Sequence, residues 1–209
     1  MTFRDVPLPE RMQHLPRDKR GYPIPVIVEH DQAGAPVFAA NDHEVALRHA
    51  RRKLCPICGA RLTKELWFVG GPLSAFHPLG AYFDSAMHHE CMTYAMQVCP
   101  YMALPNYRST IDAQMPHLQE RIGGKLVLDS TMIPGRPPCF VAVMAYGQSF
   151  RDAEIPPLVN KIPLRPYHAV EFWKDGARLT YEAGRELLAP LRGLDLDSCL
   201  RLIERDQRR

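Results

Sequence analysis

Cys55-Pro56-Ile57-Cys58-Gly59, answered downstream by His88-His89-Glu90-Cys91, is the pattern that decides how this chain folds. A Cys-x-x-Cys turn followed by glycine presents two thiolates from a tight knuckle. A His and a Cys three positions apart add two more donors from one face of a helix. The set reads as a four-ligand zinc site of the treble-clef kind, with Cys55, Cys58, His88 and Cys91 as ligands.

The flanking residues supply the elements such a site needs. Asn41-x-x-Glu44 has the form of a capping box, and Val45, Ala46, Ala50 and Leu54 recur at helical spacing. A helix over 42–53 therefore leads into the first cysteine. Residues 62–69, with Leu66, Trp67 and Phe68, read as a buried strand closed by Gly70-Gly71-Pro72. A second helix over 88–98 carries Cys91, Tyr94, Ala95 and Val98 as its apolar stripe. Successive helical positions turn by about 100°, so residues three apart share a face and residues two apart do not. On that ground His88 pairs with Cys91, and His89 faces away.

Three thiolates and one imidazole leave no coordination position open for water or substrate, so the metal is expected to be structural. Cys99, Cys139 and Cys199 stand among apolar neighbours and read as small buried hydrophobes. Metal-type cysteine spacing fits a reducing cytosol better than a disulfide framework.

Composition narrows the class without naming an activity. Of 209 residues, 46% are hydrophobic and 23% charged, with a formal net charge of +3. That balance is ordinary for a globular protein and does not by itself demand a nucleic-acid partner. The 20 prolines favour short elements and fixed connections over a helical bundle. No stretch approaches the roughly 20 apolar residues that cross a bilayer. Met1-Thr2-Phe3-Arg4-Asp5 has no hydrophobic run behind it, so a signal peptide is not expected and a cytoplasmic location is.

Working outward, residues 1–20 read as an extended arm with a basic cluster at Arg17, Lys19 and Arg20. Residues 22–28 suggest a strand confined to an edge by Pro23 and Pro25. Asp31-Gln32-Ala33-Gly34 then turns the chain into a partner strand at Val37-Phe38-Ala39-Ala40. Residues 21–105 would thus hold the hairpin and the metal-binding unit. Residues 106–209 would form an α+β extension packed on the same core. Its strands are expected at Lys125-Leu126-Val127-Leu128, at 139–144 and at 168–173, the last ending in a Lys174-Asp175-Gly176 turn. Thr180 caps a helix over 181–188 halted by Pro190, and Asp197 starts a last helix through Leu200 and Ile203. The expected class is α+β: a zinc-stabilised treble-clef core with an N-terminal β-hairpin and a C-terminal strand-helix extension.

Two further features bear on chemistry. Arg48, Arg51, Arg52 and Lys53 make the densest basic run, on the helix before the knuckle, where they could meet phosphates. His77, Asp84 and His89 could supply a second, catalytic metal site of the sort treble-clef nucleases use, although the Asp-His pair of those nucleases is absent beside the knuckle. The apolar residues Leu73, Phe76, Leu79, Tyr82 and Phe83 either roof the core or form a partner surface. No phosphate-cradling loop, nucleophile elbow or dinucleotide fingerprint is present.

Taken together, Leu15-Pro16-Arg17-Asp18, Gly21-Tyr22-Pro23-Ile24-Pro25, the 55–59 knuckle, His88-x-x-Cys91 continuing to Cys99-Pro100, and residues 170–176 resemble a family of small zinc-binding proteins of bacteriophages and bacterial mobile elements. The matching pieces are spread over most of the chain. The resemblance implies His88 as the fourth ligand and a phage-related origin in the host cytoplasm, and carries no activity with it. The resulting expectation is a non-enzymatic accessory protein with one structural zinc, binding nucleic acid or a host protein. A metal-dependent nuclease and an inhibitor of a bacterial defence system are the alternatives.

Overall fold

The computed structural model describes residues 5–105, 117, 120, 136–152 and 159–200. Along the chain the first half contains β1 (Val28–His30), β2 (Pro36–Asn41), α1 (His43–Arg52), β3 (Leu66–Gly70), α2 (Pro72–Phe76), α3 (His89–Val98) and α4 (Pro100–Ala103). The second half contains β4 (Phe140–Ala145), β5 (Gln148–Asp152), β6 (Val159–Pro163), β7 (Ala169–Lys174), β8 (Ala177–Arg178), α5 (Tyr181–Leu188) and α6 (Leu196–Leu200). The class is mixed α+β. Among the described residues no helix is long and apolar enough to cross a membrane.

The centre of the molecule is an antiparallel sheet in the order β3-β4-β7-β8. Every residue of β4 is buried. Successive strand side chains point to opposite sides, so a strand buried throughout is covered on both faces. Phe68 of β3 stands opposite Val143, and Val143 opposite Val170 of β7. Helices α2, α3 and α5 supply cover. One close approach sets the fit: a Cβ on Gly184 of α5 would lie 2.2 Å from the ring of Phe172, so any other residue there must push helix and strand apart.

This sheet draws strands from both of the expected segments, 21–105 and 106–209. β3 belongs to the metal-bearing half, yet its partner β4 comes from the second half. Residues on both sides of position 105 are therefore strands of one sheet around one core cluster, from Val6 to Leu200.

Several elements differ from expectation in their limits. The hairpin forms, but its first strand begins at Val28 rather than 22, because Pro23 and Pro25 remove backbone donors; Pro23 makes only an isolated bridge with Arg17. Asp31 closes the turn by accepting from the N–H groups of Ala33 and Ala35, with Gly34 at φ 77°. Asp42, not Asn41, caps α1, accepting from Val45 N–H at 2.9 Å. The 62–69 strand starts at Leu66. The strands expected at 139–144 and 168–173 each lie one residue later. Asp175 and Gly176 both take positive φ, joining β7 to β8 by a two-residue turn. Thr180 caps α5 as expected, through Ala183 N–H at 3.2 Å. The last helix begins before Asp197, at Leu196, with Asp195 accepting from Ser198 N–H. The strand expected at 125–128, Ile203 and the 208–209 end lie outside the described residues.

The arm is folded onto the core over its described part. A 3-10 turn at Glu10–Met12 buries Met12, and Val6 and Leu15 are buried beside it. The apolar side of α3 is wider than the expected stripe: Met92 and Met96 are buried together with Cys91, Tyr94 and Val98.

Candidate metal centre

The knuckle is built by backbone hydrogen bonds before any side chain contributes. Lys53 ends α1 in the left-handed region at φ 54°. Leu54 then bridges Arg61, and Leu62 N–H donates to Lys53 O at 2.8 Å. Inside this ribbon Cys55 N–H donates to Ala60 O at 2.8 Å and Gly59 N–H to Cys55 O at 2.9 Å. Gly59 turns the chain at φ 75°, and a Cβ there would stand 3.3 Å from Val26 Cγ1. Both thiol side chains are thereby aimed to the same side and buried.

The other two donors arrive with α3, by a route different from the one the spacing suggested. Trp67 and Met87 exchange backbone hydrogen bonds at 3.2 and 2.8 Å, which fixes the chain one residue before His88. His88 is then the N-cap residue, with extended backbone at φ −71° and ψ 148°, and α3 begins at His89. His88 and Cys91 therefore do not share a helical face. They converge because the chain bends at the cap and Cys91 lies in the first turn. The positive end of the helix dipole there favours a thiolate.

One ligand atom from each of Cys55, Cys58, His88 and Cys91 lies within 4.8 Å of the others, and all four residues are buried. Bond lengths of about 2.0–2.3 Å to a tetrahedral ion put its ligands roughly 3.3–3.8 Å apart. Cys58 Sγ and His88 Nδ1, at 3.4 Å, already stand at that separation. His88 Nε2 lies 3.1 Å from Arg61 O and donates to it, which leaves the Nδ1 lone pair facing the sulfurs. None of the six cysteines is in a disulfide. The four residues can hold a metal ion.

The electrostatics point the same way. Hydrogen bonds from Cys55 and Cys91 hold the Cys58 thiol far below its ordinary range. Those two shift in the opposite direction: hydrogen bonding within the trio pushes both the Cys55 and the Cys91 thiols up. A second negative charge beside the first is unfavourable in a buried cluster. A divalent ion removes that obstacle and lets all three ionise.

The remaining candidates do not assemble into a second centre. His77 follows α2, and its Nδ1 accepts from Leu79 N–H at 3.1 Å. Asp84 accepts from Asn41 Nδ2 at 3.3 Å and lines a cavity of about 20 Å³ with Lys161 and Ser85. Burial pushes the Asp84 carboxyl up and the Lys161 ammonium down, each shift partly offset by the other's charge. His89 turns away from the thiols, as expected, and its Nε2 lies 2.9 Å from Glu171 Oε1 while its ring packs on Trp67 at 4.5 Å. Among the described residues the Cys55, Cys58, His88, Cys91 set is the one group of three or more such side chains within metal-binding reach.

The apolar loop mostly roofs the core. Phe76 and Tyr82 are buried, whereas Leu79 is exposed. Arg165 donates to the carbonyls of Ala75 and His77, and the Tyr167 hydroxyl donates to Ala75 O, so the open end of α2 is closed by the second half. Cys139 and Cys199 are fully buried as expected, but Cys99 is only half-buried, at the junction of α3 and α4. Arg48, Arg51, Arg52 and Lys53 are all exposed.

Two residues around the centre escaped the sequence. Arg11 pairs with Glu90 and places a guanidinium nitrogen 3.3 Å from His88 Nε2. Glu171 gathers His89, Trp173 Nε1 at 3.0 Å and Arg178 at 3.3 Å around one buried carboxylate. Both contacts span distant parts of the chain, and no local pattern announces them. Comparison with family models, with curated proteins and with solved structures finds no match to this chain.

Proposed function

We propose that the chain is a non-enzymatic accessory protein, phage-related, in which a structural zinc ion stabilises a treble-clef-like unit and α1 engages nucleic acid. Zinc is favoured by the donor set: thiolates and an imidazole in a closed tetrahedral arrangement suit it better than oxygen-seeking cations. The treble-clef reading is supported by the order of knuckle, strand β3, the returning bridge at Met87 and helix α3. With four protein donors no position is left for a reacting water, which favours a binding role over hydrolysis.

The observation that carries the nucleic-acid reading is the state of the basic run. Arg48, Arg51, Arg52 and Lys53 are exposed, and none has an acidic partner within ion-pair distance among the described residues. Cations in the last turn also complement the helix dipole, a contribution of a few tenths of a kcal/mol that does not need four of them. Lys53 is anchored to the knuckle through its carbonyl, so the metal unit would hold this edge rigid. The test is fluorescence anisotropy against labelled duplex and single strands over a salt series. Each phosphate that the protein ceases to neutralise lowers the duplex salt slope by about 0.9. Charge reversal at Arg51 and Arg52 should weaken binding and flatten that slope; unchanged affinity and slope would remove α1 from the interface.

A further inference from the structure

A second surface carries ligand chemistry that α1 does not explain. Val6, Pro7 and Leu8 of the N-terminal segment, Arg17, Arg20 and Gly21 of the following turn, and Tyr94 of α3 line an open cleft of about 370 Å³. That volume is within the roughly 300–1,000 Å³ of ordinary ligand sites. Tyr94 is 6% exposed as a whole residue and lines the cleft. Arg17 lies near enough for its charge to act on Tyr94, donates to Gly21 O at 3.2 Å, and has no acidic partner among the described residues.

Beside the cleft two aromatic rings flank a guanidinium: Tyr22 and Phe38 meet edge to face, with centres 6.4 Å apart and planes at 63°. Asp18 holds Arg20 at 2.7 Å, and the guanidinium carbon then lies 4.9 Å from the Tyr22 ring centre and 5.6 Å from that of Phe38. Phe38 is 40% exposed. The Asp18 carboxylate is occupied by Arg20 and by the N–H groups of Arg20 and Tyr22, so it does not oppose an incoming anion.

We infer that this cleft is a nucleotide site for single-stranded nucleic acid: Arg17 and the Tyr94 hydroxyl bind a phosphate, and an unstacked base lies on the Arg20–Phe38 surface. The inference rests on the nucleic-acid reading above and adds where and in what form the strand is held. A duplex keeps its bases stacked on each other and gains nothing from such a surface, whereas a single strand offers each base face to it.

The experiment uses the full, zinc-loaded chain with a short fluorescein-labelled oligo-thymidylate and a duplex of equal length. Tyr94→Phe keeps the ring and removes the hydroxyl; it and Arg17→Ala should each weaken thymidylate binding about tenfold. Phe38→Ala should weaken it at least about fivefold, and duplex affinity should hardly move. Unchanged thymidylate affinity in both Tyr94→Phe and Arg17→Ala overturns the cleft, as does an equal loss on duplex. The Arg51 and Arg52 reversal separates the two ideas. If it leaves thymidylate binding intact while the cleft variants lose it, the cleft stands and α1 falls; duplex binding with no thymidylate binding sinks the cleft alone.

Discussion

Arg11 and Glu90 are 79 positions apart in sequence and joined side chain to side chain, with the Arg11 guanidinium 3.3 Å from His88 of the Cys55, Cys58, His88, Cys91 cluster. Glu90 lies between two of the ligands, so the pair ties the N-terminal segment to the element that delivers half of the donor set. A Cys3His site around a divalent ion carries net negative charge once its thiols ionise, and the Arg11 guanidinium compensates it from outside the ligand shell.

Arg11→Ala is expected to leave the metal bound but to let it go faster, about tenfold or more in a chelator competition. The direct stability effect should stay within about 1 kcal/mol, because both side chains are partly exposed and the pair is screened. Amide exchange over residues 5–15 should rise in the variant. Unchanged metal release together with unchanged exchange would show that Arg11 does not hold the segment to the centre.

His88→Ala and His89→Ala should separate cleanly. The first removes a ligand and should lower metal affinity by more than about 100-fold, beyond the range of outer-shell changes. The second should keep the metal, since His89 faces Glu171 and Trp67. Elemental analysis of reduced protein after dialysis reads both; metal lost from His89→Ala and retained by His88→Ala reverses the assignment.

Glu171 gives a pH-dependent prediction. Burial alone would raise its carboxyl, but hydrogen bonding and charge from His89, the charge of Arg178 and the Trp173 indole outweigh it, and the net shift is downward. A carboxyl depressed in the folded state stabilises above its unfolded value, near 4.3, and loses that contribution as pH falls through the folded value. Glu171→Gln should therefore cost about 1–3 kcal/mol at neutral pH by urea unfolding. The gap to the parent should narrow only below about pH 4. Acid-induced metal release affects both proteins and cancels in the difference. A gap constant from neutral to acid pH would rule out the charged network as its source.

Local chemistry made much of this structure readable in advance. The knuckle was legible because its spacing and Gly59 encode a turn that hydrogen bonds within ten residues complete. His88 was identified for a reason that proved different: equal angular spacing on a helix was assumed, whereas an N-cap bend does the work. What stayed hidden was nonlocal. The 148–152 and 159–163 hairpin has no strong alternation: β5 is largely exposed along its length, so no buried face marks its period. The pairing of β3 with β4 depends on two apolar runs that look alike and name no partner. Arg11 and Glu171 are single charged residues whose partners the fold alone brings to them.

The division of labour between metal and sheet has a bearing on how the protein is made. All four donors lie within residues 55–91, whereas the strand beside β3 begins at Phe140. A growing chain on the ribosome therefore displays a complete ligand set well before it can close its sheet. Metal captured at that point would guard the exposed edge of β3 during synthesis, making metal supply at the moment of translation a determinant of yield.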